Sequence, residues 1–326
     1  MILTTKVNTI REAWNRLHGV ICIYKPAMLA VRSVRKMVIN NIVRDVNQLE
    51  RTPPRTFVKV EPVIEDPDLF DEAGYHVITQ ANLADLELVK GPTVIHEDIR
   101  MAWANTLSWR TSGVLVFGVN SGNRDIRKLN ERRPLSAYQV TAQLGIATDN
   151  QWDDGKVWEK TTYHHLTKGK LDRVLASIQA TNQKKMFEYC GIDPTTQAAY
   201  NLAVKGLLRP AVRGPTVLYS IKCVDFSPPN FTLEIHCINE KEGYFPALIH
   251  DLGLTLKTTA VCTKIRCIRY GPFTVDDALV RHQWNLECFG HQMCRFHESL
   301  AALPELTPNI KSYNARNANF ESRNKN

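Results

Sequence analysis

The chain has 326 residues, of which 44% are hydrophobic and 23% charged, ordinary proportions for a globular protein that exclude a collagen-like, coiled-coil or wholly disordered chain. No apolar run reaches the ~18 residues needed to cross a bilayer, so no membrane span is expected. Lys and Arg number 41 against 33 Asp and Glu, a net charge of +8 that favours a polyanionic partner without naming one.

The length suits one large or two modest domains. Residues 1–18 carry Lys6, Arg11 and Arg16 against Glu12, which is compatible with a short matrix-targeting segment. They lack the long apolar stretch of a secretory signal, so the eight cysteines are expected to be reduced thiols. Residues 19–24, Gly-Val-Ile-Cys-Ile-Tyr, read as a buried strand that stops at Lys25-Pro26. Val31, Val34, Val38, Ile42 and Val46 then follow helical spacing, with Arg32, Arg35 and Lys36 on a basic side. Residues 49–75 are rich in Pro, Asp and Glu and read as a surface insertion with little regular structure, within a variable stretch over 49–100.

Residues 113–119 form a second buried strand. The basic connection Ser-Gly-Asn-Arg-Asp-Ile-Arg-Lys-Leu-Asn-Glu-Arg-Arg-Pro follows; from Arg124 to Arg133 it holds five basic and two acidic residues, a net +3. A strand over 136–146 comes next. Leu171, Val174, Leu175 and Ile178 mark an amphipathic helix started by Thr167. Another helix begins after Asp193-Pro194 and runs through Tyr200 to about 207. Residues 216–225 and 230–238 alternate and meet at Ser-Pro-Pro-Asn, a hairpin. A helix over 245–256 and a strand over 258–269 follow, and 301–326 read as a polar, disordered tail. Hairpins mixed with helices, without an internal repeat, favour an α+β domain.

Cys288, His291, Cys294 and His297 recur every three residues. Two such ligands share a metal readily, but four along one helix do not close a tetrahedron around one ion. No metal is therefore expected, and a core-facing helical stripe is the preferred reading. Cys262 and Cys267 read as strand residues.

Five spaced blocks carry more information together. They are Gly19-Val-Ile-Cys-Ile-Tyr-Lys25-Pro26; Leu107-Ser-Trp-Arg-Thr-Ser-Gly-Val-Leu115; Tyr138 with Leu144-Gly145, Thr148-Asp149 and Gly155; Ala199-Tyr200-x-x-Ala203; and Asp251-Leu252-Gly253 with Ala260, Arg266 and Gly271-x-Phe273. In this order, over about 19–280, they resemble the TruB family of RNA pseudouridine synthases. Glu159-Lys-Thr-Thr-Tyr163, Asp172-Arg173 and Ile178-Gln179, together with the long insertion, look more like the animal mitochondrial branch of that family.

The resemblance implies one synthase domain over 19–300, with a mixed, mostly antiparallel sheet, flanking helices and a central RNA cleft. The C-terminal PUA domain of bacterial members is not expected. The implied activity is isomerisation of a uridine to pseudouridine in mitochondrial tRNA, mRNA or rRNA, in the matrix, after the base is flipped from its stack. No metal or organic cofactor is implied. Tyr138 and Tyr200 take the place of the family's pocket aromatics. Lys25, Arg124, Arg127, Lys128, Arg132 and Arg133 are the candidates for holding the RNA backbone.

The family's reaction depends on one aspartate that attacks or deprotonates the ribose and shields positive character at the anomeric carbon, work suited to a carboxylate. Its place in the block Leu-Asp-Pro-x-Ala-Ser/Thr-Gly is taken by Ser108, and the following proline by Trp109. A serine hydroxyl, neutral at pH 7, does not replace a carboxylate electrostatically. Ser136 stands where the family has a lysine, and Val204 where the resemblance places an arginine paired with the aspartate. Two further functions therefore stand beside the enzyme. One is an RNA-binding protein that has lost catalysis and serves tRNA folding or mitoribosome assembly. The other is a zinc-dependent interaction module. If catalysis survives, Asp98 or Asp149 is expected to supply the acid.

Overall fold

The computed structural model describes residues 8–51, 55–62, 75–190, 193, 195–204, 216–241 and 243–301. In chain order the elements are α1 (Ile10–Arg16), β1 (Gly19–Lys25), α2 (Val31–Asn47), β2 (Thr56–Pro62), β3 (Tyr75–Ala81), α3 (Glu87–Lys90), β4 (Met101–Trp103), β5 (Ser112–Val119), α4 (Gly122–Glu131), β6 (Ser136–Leu144), β7 (Ile146–Thr148), β8 (Val157–Lys160), α5 (Lys168–Cys190), α6 (Gln197–Val204), β9 (Val217–Ser227), β10 (Asn230–Ile238), α7 (Tyr244–Thr255), β11 (Ala260–Tyr270), β12 (Phe273–Thr274) and α8 (Leu286–Ala301).

The run Ser-Gly-Val-Leu-Val-Phe-Gly-Val makes β5 a strand buried at every position. Such a run belongs in the middle of a sheet covered on both faces. It sits in an eight-stranded sheet ordered β1-β5-β11-β6-β10-β9, with β4 also on β5 and β12 on β11. All pairings are antiparallel except β11 with β5. The parallel contact is short, Arg266 to Ser112 and Cys267 to Gly113, after which β4 takes over the same edge of β5. The backbones come so close there that a Cβ on Gly113 would lie 2.0 Å from the Cys267 carbonyl oxygen. Gly113 thus admits β11 beside the start of β5. The expected α+β sheet, mixed and mostly antiparallel with flanking helices, is what the structure has.

Helix α2 buries Val31, Val34, Val38, Ile39, Ile42 and Val46, the expected stripe with Ile39 added. Helix α8 packs on β1, α7 on β11 and β6, and α5 on β9. A single large cluster of buried side chains joins these helices to the sheet.

Four expectations change. The 49–75 insertion is not without regular structure, because β2 and β3 pair over seven residues. The basic connection after β5 is a helix, α4, which buries Gly122, Ile126 and Leu129. The strand over 136–146 is two strands, divided at Gly145, whose φ of +87° and contact with the Tyr163 ring exclude a side chain. On α8 the core-facing residues are Phe289, Gln292, Met293 and Phe296, while His291, Cys294 and His297 face water and Cys288 is half-buried. The 1–7 and 302–326 calls, and the end of the helix expected to reach 207, lie outside the described residues.

Candidate functional site

The connection between β4 and β5, residues 104–111, is held from two sides. Asn105 clamps it to β5: its Nδ2 donates to the Val114 carbonyl at 2.8 Å, and its Oδ1 accepts from the Val116 amide at 3.1 Å. Lys25, at the end of β1, has no solvent exposure and donates its ammonium protons to the carbonyls of Pro26, Trp109 and Thr111 at 3.0, 3.2 and 2.6 Å. The Thr111 amide closes the turn on the Ser108 carbonyl at 3.1 Å. A buried ammonium without such acceptors would carry a heavy desolvation cost. Burial pushes Lys25 down to about 8. Lys25 was expected at an RNA backbone; its ammonium instead points inward and positions this loop.

The loop forms one wall of a cavity of about 130 Å³. Ser108 lines it, half-buried. Opposite chain segments complete it: Tyr138 from β6, Ile265 from β11, Glu240 and Lys241 from the β10–α7 connection, and Phe245 and Pro246 from α7. Tyr138 is 2% exposed and its ring rests against Phe245 with centroids 4.6 Å apart. Its hydroxyl donates to Glu240 Oε1 at 2.6 Å, and Ser136 Oγ donates to the same oxygen at 2.9 Å. Burial, reinforced by the Glu240 charge, holds the Tyr138 phenol well above its ordinary range, so it is a neutral donor. Where the resemblance puts a lysine, Ser136 offers a hydroxyl to this carboxylate.

At the mouth, Arg110 lies between two indoles. Its guanidinium carbon is 4.8 Å from the Trp109 ring centre and 4.9 Å from that of Trp152. Its Nη1 meets Asp154 Oδ1 at 2.8 Å. Trp152 belongs to the turn between β7 and β8, which is tied to β11 through the Asp153 amide on the Cys262 carbonyl and the Cys262 amide on the Gln151 carbonyl.

The structure thus brings Ser108 and Tyr138 together in one cavity. Tyr200 is elsewhere: it is 64% exposed on α6 and does not line the cavity. Val204 ends that same helix. Arg124, Arg127 and Lys128 are exposed on α4, and Arg132 and Arg133 are half-buried between α4 and β6. Asp98 and Asp149 cap turns, accepting from the Ile95 and Lys156 amides at 2.9 Å each, and neither lines the cavity. Among the described residues the acid in the cavity wall is Glu240.

Glu240 and Trp152 were not legible beforehand. Glu240 lies in Asn-Glu-Lys-Glu-Gly, which reads as an ordinary solvated turn, and only the approach of β10 to β6 aims it at Tyr138. The readable signal at the mouth was Trp109, a large aromatic inside a polar turn.

Chemically the cavity joins an aromatic wall, hydroxyl donors and one carboxylate acceptor, with Arg110 and exposed Lys241 at its edge. That set suits a flat ring with both donors and acceptors on its rim, carried on an anionic chain. Among the described residues no three His, Cys, Asp or Glu side chains gather as a metal site, and Cys22, Cys223, Cys237, Cys262, Cys267, Cys288 and Cys294 are free thiols.

Residues 94–243 match the family model described as the TruB family pseudouridylate synthase N-terminal domain. The chain is 42% identical over 270 residues to the mitochondrial pseudouridylate synthase TRUB2 of Xenopus tropicalis, covering 83% of this chain and 82% of that protein. It is 38% identical over 274 residues to the Homo sapiens protein of the same name, with 83% and 82% covered. It is 24% identical over 180 residues to tRNA pseudouridine synthase B of Syntrophotalea carbinolica, covering 55% and 58%.

Proposed function

The chain belongs to the TruB family of pseudouridylate synthases, and from that membership we propose that it is a mitochondrial RNA-binding protein that takes a flipped-out uridine into the Ser108–Tyr138–Glu240 cavity and holds it without isomerising it. The observation that carries this reading is the hydroxyl at position 108, on a loop that Lys25 and Asn105 keep in place. The cavity is formed, while the position that the resemblance gives to the family's aspartate carries a neutral hydroxyl.

Isomerisation breaks the N1–C1′ bond, turns the base and joins C5 to C1′. The C5 proton leaves and N1 takes one up. Charge developing at C1′ needs a carboxylate beside the ribose, and a neutral hydroxyl does not supply that charge. Glu240 accepts two hydrogen bonds on one oxygen, which suits an acceptor for a uracil N3–H. Tyr138 and Phe245 form the wall against which the ring packs. RNA, whether tRNA, mRNA or rRNA, is the partner; the names of the TRUB2 relatives support the mitochondrion, and the matrix follows as part of the same reading.

The test is tritium release from C5-labelled uridine in tRNA and mitochondrial transcripts, alongside binding. Binding with release at background is the expected result. The carboxylate in the cavity favours one other reading, isomerisation supported by Glu240. Release above background that disappears in Glu240→Gln would establish it and overturn the first.

A further inference from the structure

We propose that the Trp109 indole is a second nucleobase subsite, a stacking platform at the cavity rim for the RNA base next to the flipped one. This rests on the RNA-binding reading above. Three observations meet at this residue.

First, Trp109 is 45% exposed and is not part of the hydrophobic core. An indole has a large apolar surface that folding normally hides. Here one contact of the ring is with Arg110, and 45% of the residue stays exposed. The Trp109 backbone is held instead, through its carbonyl on Lys25 Nζ.

Second, the ring is backed rather than left loose. The Arg110 guanidinium lies 4.8 Å from its centre, and Arg110 is itself fixed by Trp152 and by Asp154 Oδ1 at 2.8 Å. Arg110 is only 17% exposed in its side chain. A cation on one face orients the indole and lowers the entropy lost when a base stacks on the other.

Third, Trp109 is adjacent in sequence to Ser108, and both line the cavity, Ser108 half-buried and Trp109 exposed. A nucleotide flipped into the cavity leaves its neighbour unstacked just outside. Base–aromatic stacking is a general, sequence-tolerant way to hold such a base. The ligand class is therefore a single-stranded or loop nucleobase 5′ or 3′ to the flipped uridine.

The experiment uses the full chain and an RNA hairpin with a uridine-rich loop carrying one 2-aminopurine. Affinity is read by anisotropy, and stacking by quenching of the 2-aminopurine emission. Trp109→Ala is expected to bind at least about fivefold more weakly and to lose the quenching. Trp109→Phe retains most of both. Trp158→Ala, which removes a 75% exposed tryptophan on β8, leaves both unchanged. Wild-type affinity and quenching in Trp109→Ala would overturn the subsite while leaving the RNA-binding reading intact. No binding of any RNA by the wild-type chain would overturn the RNA-binding reading and the subsite with it. A thermal melt of Trp109→Ala matching wild type ties a loss of affinity to the indole itself.

Discussion

Lys25 shows how a motif residue acquires a different task once its surroundings are known. Its spacing at the end of an apolar strand suggests a surface cation, but three carbonyls converge on it. Lys25→Met leaves those acceptors unsatisfied and is expected to lower unfolding free energy by at least ~2 kcal/mol in urea denaturation. The pH dependence has a definite sign. Burial takes the folded-state value from the ordinary 10.5 down to about 8, so between those values the unfolded chain binds more protons than the folded one. Stability contributed by this group therefore rises with pH across that window, and the rise is absent in Lys25→Met. A flat difference between the two proteins from pH 8 to 10 would refute it. Ser108 was picked out by the resemblance, and the structure places it in the cavity wall. Ser108→Asp is expected to leave tritium release at background. The new carboxylate shares a small cavity with Glu240, which disfavours its charged form, and Arg110 is already engaged by Asp154. Release rising to the level of an active family member would contradict this.

Among the elements, those with a strong period were readable and those dominated by charge were not. The alternation expected in β10 and the stripe of α2 survive nearly residue for residue, while in β9 the expected alternation is broken, with two shifts in its register against β10. α4 was missed because its buried side consists of Gly122, Ile126 and Leu129 only, a narrow stripe among seven other residues. The β2–β3 pair was missed because the Pro-, Asp- and Glu-rich chain around it carries turn signals, and Phe57, Val58, Val60, Val77 and Ile78 remain exposed. On α4, Arg124, Arg127 and Lys128 share one exposed side, spaced by three and four residues. If this side lies along the RNA, the triple alanine variant reduces the slope of log affinity against log salt by about 2–3, following ~0.7–0.9 per phosphate contact. Unchanged slope across a salt series would place the RNA on another face.

At the scale of the whole molecule, the decisive event is the insertion of β11 between β5 and β6. Residues near 110, 138, 152, 240 and 265 become neighbours only through that arrangement. Gly113 permits it by its lack of a side chain, and Gly145 turns the chain out of the sheet toward the segment that carries Trp152. The amino-acid sequence by itself determined the α+β class, most strands and helices and the family, because these follow from local periodicity and from blocks short enough to read in place. The tertiary structure alone decided that Lys25 is buried, that Tyr200 stands apart from the cavity, that Glu240 is its acid and that Arg110 is held between two tryptophans. Those facts depend on contacts between segments far apart in the chain, and hydrogen bonding and desolvation act on what is near in space, not on what is near in sequence.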